Sequence, residues 1–292
     1  MELPAARLRR LLEEPGILLM PGVFDALSAK LAEEAGFPAV FMSGFAVAAA
    51  RLALPDTGLI SYGELVEQGR QICGAVSIPV FGDGDTGFGN AVNVKRTVEG
   101  YARAGFACVM IEDQVSPKRC GHTPGKAVVG RDEALTRIAA AVDARNEGSD
   151  ILLIARTDAR ATHDLEEAIG RCRAFAELGA DITFLEAPES EAEMARYCAE
   201  VPGWKMANLV ENGRTPLLHP VRLETMGYKI AVHPLSLLSA AARAMRGALR
   251  DLRDGREAEG LLHFDQLKEV VGFPDYYEEV ARYAAESADE DA

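Results

Sequence analysis

The chain has 292 residues, 48% of them hydrophobic, with 31 Lys and Arg against 45 Asp and Glu for a formal charge of −14 and an isoelectric point near 4.9. That balance gives no basic footprint for nucleic acid and keeps the chain off anionic membrane surfaces. No uninterrupted apolar run reaches the roughly 18 residues of a spanning helix, so neither a nucleic-acid nor a membrane partner is expected.

The start, Met1 to Glu14, is charged and amphipathic and has no apolar signal-peptide core. From there short apolar runs alternate with longer stretches of helical period. The runs are Ile17–Met20, Ala39–Met42, Pro79–Phe81, Cys108–Ile111, Ile151–Ala155, Ile182–Leu185, Lys205–Ala207 and Tyr228–Val232. Between them lie helical candidates at Ala26–Ala35, Tyr62–Ala75, Val92–Ala104, Arg131–Asn146, Leu165–Leu178 and Glu191–Glu200. Several of these stop at glycine (Gly36, Gly105, Gly179), the residue suited to the left-handed turn after a helix. Asp164 opens one as an N-cap with an acidic first turn. Strand then helix, eight times over with no break in composition, predicts an α/β fold of the (β/α)8 TIM-barrel type, a single domain over residues 1–292. A doubly wound open sheet is the alternative, and its GxGxxG turn is missing. The glycine-rich Gly82-Asp83-Gly84-Asp85-Thr86-Gly87 is acidic where a pyrophosphate would lie, and no Walker A sequence occurs.

After the eighth run, Leu235 to Leu252 reads as a long helix. Gly255 and Gly260 interrupt it, and Glu269 to Tyr283 follows with Phe273, Tyr276, Tyr277 and Tyr283. Residues 255–292 are therefore expected to form a helical extension, with those aromatics packed on a partner subunit or on the chain's own barrel. The acidic tail from Glu286 to Asp291 is expected to fray. Five cysteines (Cys73, Cys108, Cys120, Cys172 and Cys198) form no CxxC pair. They argue for a reducing compartment, hence the cytoplasm, with all but Cys120 as small buried apolar residues.

Chemistry in a barrel collects at the C-terminal strand ends. Here those ends supply Ser43, Asp83, Asp85, Glu112, Arg156, Asp158, Glu186 and Asn208, with His233 at the last. Carboxylates converging from Asp83, Asp85 and Glu112 would repel one another unless neutralised. An all-oxygen set without a histidine cluster points to Mg²⁺, or Mn²⁺, rather than Zn²⁺. Asp83 and Asp85 would share one side of the extended chain; the competing reading is that they only shape a glycine turn. Lys118-Arg119-Cys120-Gly121-His122 sets a thiol beside two cations and an imidazole, which favours thiolate and makes Cys120 a candidate acid or base. Arg156 and His122 would be counter-charges for an anionic substrate, although Arg156 could instead pair structurally with Glu186.

With these residues in view, the chain resembles the isocitrate lyase/phosphoenolpyruvate mutase superfamily over nearly its whole length. The resemblance is carried by Pro21-Gly22-Val23-Phe24-Asp25-Ala26, Met42-Ser43-Gly44, Leu54-Pro55-Asp56-Thr57-Gly58, the Gly82–Asn90 loop, Ile111-Glu112-Asp113-Gln114, Pro117–His122, Ala155–Ala159, Glu186-Ala187 and Ala207-Asn208. It implies that Asp56, Asp83, Asp85 and Glu112 surround Mg²⁺, with Asp83 the direct ligand. Ser43, Gly44, Arg156, Glu186 and Asn208 would cradle a hydroxy-acid substrate, in a pocket that Phe45, Gly121, Pro234 and Ser236 complete. Lys118–His122 would lie on a gating loop of the kind found in the carbon–carbon lyases, where Cys120 protonates an enediolate and His122 and Arg156 stabilise its charge. The resemblance further implies a homotetramer with exchanged C-terminal helices.

Phe41 stands where 2-methylisocitrate lyases carry Tyr, so the base is open between Glu186 and a hydroxide on the metal. Phe41 and Phe45 lean toward the branch of 2,3-dimethylmalate lyase. Pro234 leans away from oxaloacetate hydrolases, which carry Ser there, and isocitrate lyases proper are much longer. A phosphonomutase is the enzyme alternative; a non-catalytic carboxylate-binding barrel would have lost an acid or the Cys, and none is lost.

Overall fold

A computed structural model describes residues 2–123 and 125–289. An N-terminal helix α1 (Pro4–Glu13) precedes eight parallel strands, which hydrogen-bond in sequence order and close on themselves. They are β1 (Leu18–Val23), β2 (Val40–Met42), β3 (Val80–Asp83), β4 (Cys108–Glu112), β5 (Leu152–Thr157), β6 (Ile182–Leu185), β7 (Trp204–Asn208) and β8 (Ile230–His233). The barrel closes where β1 pairs with β8, Leu18 opposite Ile230 and Pro21 opposite His233. All eight apolar runs became strands, and β1 extends past its expected end at Pro21-Gly22.

The helices between them are α2 (Ala26–Glu34), α3 (Gly44–Val47), α4 (Tyr62–Ala75), α5 (Ala91–Ala104), α6 (Arg131–Asn146), α7 (Ala159–Thr162), α8 (Leu165–Leu178), α9 (Glu191–Glu200) and α10 (Pro220–Met226), with a π-helical turn at Ala48–Leu52. The stop signals act as read: Gly36, Gly105 and Gly179 all take positive φ, and Asp164 caps α8 through the Glu167 N–H. The helices α3, α7 and α10, of 4, 4 and 7 residues, are too short for a periodic pattern to show.

Side chains alternate in and out of the barrel. Met20, Phe41, Phe81, Met110, Ile154, Phe184, Met206 and Val232 fill its interior, and Ala5, Leu8 and Leu12 of α1 join the same cluster. Two further clusters lie between sheet and helices, one including Val40, Val80, Val109, Leu153 and Phe175, the other Ile169, Cys172, Tyr197, Leu209 and Ala231. Cys108, Cys172 and Cys198 are buried and Cys73 is half-buried, and all five cysteines are free.

The chain divides into two compact units, residues 1–239 and 240–292. Helix α11 (Ser236–Arg253) spans that division; α12 (Phe264–Val270) and α13 (Phe273–Asp289) follow. In the second unit Met245, Leu249, Leu261, Phe264, Tyr276, Tyr277 and Tyr283 are all exposed. The acidic tail is helical as far as Asp289; the rest of it lies outside the described residues. Among the described residues no helix is long and apolar enough to cross a membrane.

Candidate active site

The C-terminal ends of the strands open into a small cavity. It is lined by Ser43, Asp56, Asp83, Cys120, Gly121, His122, Arg156, Glu186 and Asn208 on its polar side, and by Phe41, Phe45, Phe184, Val232, Pro234 and Leu235 among its apolar residues. Gly44, Asp85, Glu112 and Ser236 do not line it, although the sequence grouped them with those that do. Gly44 donates its N–H to Asp83 Oδ2 at 3.3 Å. A Cβ at Gly44 would stand 2.6 Å from that oxygen, so only glycine fits there. Ser43 caps α3 through the Ala46 N–H. Ser236 is turned to Glu211, to which its hydroxyl donates.

The acidic floor converges by a route other than the expected one. The chain does not stay extended past Asp83: Asp85 has φ +48° and Gly87 +84°, and the Asp85 N–H turns back to Asp83 Oδ1 at 3.1 Å. A turn, and not strand alternation, therefore brings the two carboxylates together. Tyr101 Oη holds the Asp83 carbonyl at 2.6 Å, packing where a side chain at Gly82 would otherwise stand.

Burial pushes the Asp85 carboxyl up to about 7, against the pull of Lys118, and Asp83 and Asp56 add to the rise. Burial likewise raises Glu112 well above the carboxylate range, despite Arg156. The Lys118 ammonium reaches Asp56 Oδ1 at 2.6 Å and Asp85 Oδ1 at 3.0 Å. Those contacts lie outside good hydrogen-bond geometry, and Asp56 Oδ1, Asp85 Oδ1 and both Glu112 oxygens have no aligned donor.

Buried carboxylate oxygens without an aligned donor are of the type that fits a hard divalent ion, although among the described residues no three His, Cys, Asp or Glu side chains stand at mutual ligating distance.

Arg156 joins the floor to the opposite wall. It meets Asp158 through Nε at 2.9 Å, Glu112 through Nη1 at 3.2 Å and Glu186 through Nη2 at 3.3 Å. The structural pair with Glu186 and the exposure to the cavity thus coexist. Burial works to raise the Glu186 carboxyl, but Arg156, His122 and Lys126 outweigh it and hold it at about 2. Glu186 is therefore held as a carboxylate, the form in which a base must start.

The loop between β4 and α6 folds over the cavity. Its base is zipped by an antiparallel bridge between Gln114 and Val128 and by Val115 N–H to the Ala127 carbonyl at 2.8 Å. The Gln114 amide grips both the N–H and the carbonyl of Arg119. The expectation of a thiolate at Cys120 is corrected. Burial raises its pKa, Asp56 and Glu186 raise it further, and the His122 backbone and Arg156 only partly oppose them. Lys118, counted as a cation beside the thiol, is spent on the acidic floor.

His122 Nδ1 accepts the Arg214 N–H at 3.1 Å, and its Nε2 lies 3.1 Å from Glu186 Oε1. Gly213 makes room for that ring, since a Cβ there would lie 2.7 Å from Nδ1. At Gly121 a Cβ would lie 2.6 Å from both Arg156 Nη2 and Glu186 Cδ, so the loop descends on the site as bare backbone. Lys126, Gly213 and Arg214 escaped the sequence reading, because their contacts come from chain segments far apart in sequence. His233 lies outside the cavity lining, with Nδ1 3.6 Å from Glu211.

This geometry agrees with the comparisons. The sequence pattern of the family described as phosphoenolpyruvate phosphomutase matches residues 8–253. The 2,3-dimethylmalate lyase of Eubacterium barkeri is 42% identical over 284 residues, 96% of this chain and 98% of that one. The 2-methylisocitrate lyase of Aeropyrum pernix is 39% identical over 293 residues, 98% of this chain and 94% of that one. The solved structure of oxaloacetate acetylhydrolase with 3,3-difluorooxalacetate superposes with a TM-score of 0.92 at 39% identity, covering 97% of each chain. A closed eight-stranded barrel, an acidic floor at its strand ends and a thiol-bearing loop above them, matched over nearly full length by these proteins, make the chain a member of the phosphoenolpyruvate mutase/isocitrate lyase superfamily.

Proposed function

We propose that the protein is a Mg²⁺-dependent carbon–carbon lyase that cleaves a methylated 2-hydroxy dicarboxylate of the 2,3-dimethylmalate type to pyruvate and a second carboxylate. The observation that carries this reading is Cys120, a thiol kept protonated by burial on a cavity wall shared with Asp83, Arg156 and Glu186. A lyase that splits a hydroxy acid leaves an enediolate that must gain a proton at carbon. A neutral, half-buried thiol facing the cavity is a suitable donor.

Asp83 would hold the metal directly, with Asp56, Asp85 and Glu112 acting through water. When bound, the ion supplies Lewis-acid polarisation of the substrate's hydroxyl and carboxylate. The protein's own groups do the rest. Arg156 Nη atoms, fixed by three carboxylates, present positive charge to the carboxylate that becomes the enediolate. Glu186, ionised before reaction, fixes Arg156 and the Asn208 amide, which donates to its Oε2 at 3.3 Å. His122 Nε2, 3.1 Å from Glu186 Oε1, helps to orient that carboxylate. As the carbon–carbon bond breaks, the substrate's hydroxyl proton passes to the ionised Glu186 carboxylate in the cavity wall, and Cys120 Sγ–H gives its proton to the nascent carbanion, leaving a thiolate.

Charge and shape support a dicarboxylate over the tricarboxylate 2-methylisocitrate. Only Arg156 and His122 among the lining residues are basic, and Arg156 is already shared among carboxylates. Phe41, Phe45, Phe184, Val232 and Leu235 offer a dry wall to methyl groups. Pro234, also in the wall, has no donor for a hydrated ketone, which weighs against an oxaloacetate hydrolase.

A substrate panel tests the reading. Pyruvate should be released from 2,3-dimethylmalate faster than from 2-methylisocitrate. Oxalate release from oxaloacetate, or a ³¹P change on phosphonopyruvate without pyruvate from any hydroxy acid, would replace the reading with the hydrolase or the phosphonomutase.

A further inference from the structure

Lys126 has no part in the chemistry above, yet only 3% of its side chain is exposed. A loop lysine ordinarily runs its stem along the surface and keeps its ammonium in water, and burying that charge is costly unless good acceptors meet it. Two do. The ammonium donates to the Gly121 carbonyl at 2.5 Å and to Asp158 Oδ1 at 2.7 Å.

Each acceptor belongs to the site's framework. Gly121 lies between Cys120 and His122 in the cavity wall. Asp158 is fully buried and takes Arg156 at two points, Nε to Oδ2 at 2.9 Å and Nη2 to Oδ1 at 3.1 Å. From behind, its N–H is held by Asp113 Oδ1 at 3.0 Å, and Asp113 is fixed in turn by Arg171 at 3.0 Å.

We propose that Lys126 is the latch of the Cys120 loop, a positioning residue that ties the loop's Gly121 carbonyl to the same carboxylate that orients Arg156. The inference rests on the reading that this loop closes over the substrate. The loop is then clamped on both sides of Cys120, by Lys118 on the acidic floor and by Lys126 on the Asp158 side. When the loop lifts, Lys126 leaves with it and Asp158 loses one of its two cations. Loop closure and the setting of Arg156 are thereby one event.

The test reads the loop directly. The full-length protein, with Mg²⁺, is treated with iodoacetamide at neutral pH, and alkylation of Cys120 is followed by peptide mass mapping beside pyruvate release. Lys126→Met should alkylate about tenfold faster or more, the shift expected on losing a hydrogen bond to a charged group. Its kcat should fall by a similar factor, its KM should change less, and its thermal midpoint should stay near wild type. Lys126→Arg, which keeps the charge and spans two acceptors, should return both readouts toward wild type. If Lys126→Met does not fold, Lys126→Gln, neutral but still a donor, should show the same faster alkylation. Wild-type alkylation rates in the folded variant overturn the latch. Alkylation needs no substrate, so faster alkylation without pyruvate from any hydroxy acid would overturn the lyase reading and leave the latch standing.

Discussion

At the scale of single residues, the protonation of Cys120 depends on where its charged sequence neighbours turn. Lys118, Arg119 and His122 flank Cys120 in the chain, and sequence proximity alone suggests a thiolate. In space Lys118 turns to Asp56 and Asp85, His122 accepts the Arg214 N–H, and burial leads the rise in the Cys120 pKa. A raised thiol pKa means that the folded chain holds this proton more tightly than the unfolded chain does. Its contribution to stability is complete below the unfolded value of about 8.5 and is lost as pH rises through the folded value. The alkylation rate of Cys120 in the native protein should therefore inflect above about 8.5, and in urea at about that value. An inflection near neutrality in the native protein would contradict a protonated donor. Which residue types sit at the strand ends was legible in the sequence. Their protonation was not, because it depends on partners brought in from other loops.

At the scale of elements, the β4–α6 loop and the end of β5 are supported by a buried ion pair that no periodicity announces. Arg171, on α8, is 2% exposed and reaches Asp113 at 3.0 Å, Glu167 at 2.7 Å and the Val129 carbonyl at 2.9 Å. Asp113 in turn accepts from Thr157 Oγ1 and the Asp158 N–H. Removing one partner of such a pair strands the other. Arg171→Met should lower unfolding stability by about 3–5 kcal/mol, measured by urea denaturation, and a loss under about 1 kcal/mol would show that the pair is not holding the loop. The strands themselves were read correctly from short apolar runs ending in polar residues. The turn after β3 was not, since the positive φ of Asp85 breaks the alternation that a strand reading assumes. Lys126 was equally hidden: it lies only four residues past His122, yet its acceptors, Gly121 and Asp158, meet only when the loop folds back over β5.

At the scale of the whole molecule, the aromatics near the C-terminus have no cover within their own unit. Phe273, Tyr276, Tyr277 and Tyr283 are exposed, as are Leu249, Leu261 and Phe264 in the same unit. Exposed apolar side chains gathered in one unit mark candidate interaction surfaces. We propose that a second copy of the chain covers them and that the enzyme assembles as a homotetramer. Light scattering at micromolar concentration should give four times the 31.4 kDa chain mass, and a monomeric mass would refute it. The proposed function rests on one claim, that Cys120 delivers the proton which completes cleavage. That claim is tested most directly by pyruvate release from 2,3-dimethylmalate with Mg²⁺ in Cys120→Ala beside wild type. The account predicts that turnover falls by about 10²–10⁴-fold with the unfolding midpoint unchanged; near-normal turnover in the variant would contradict it.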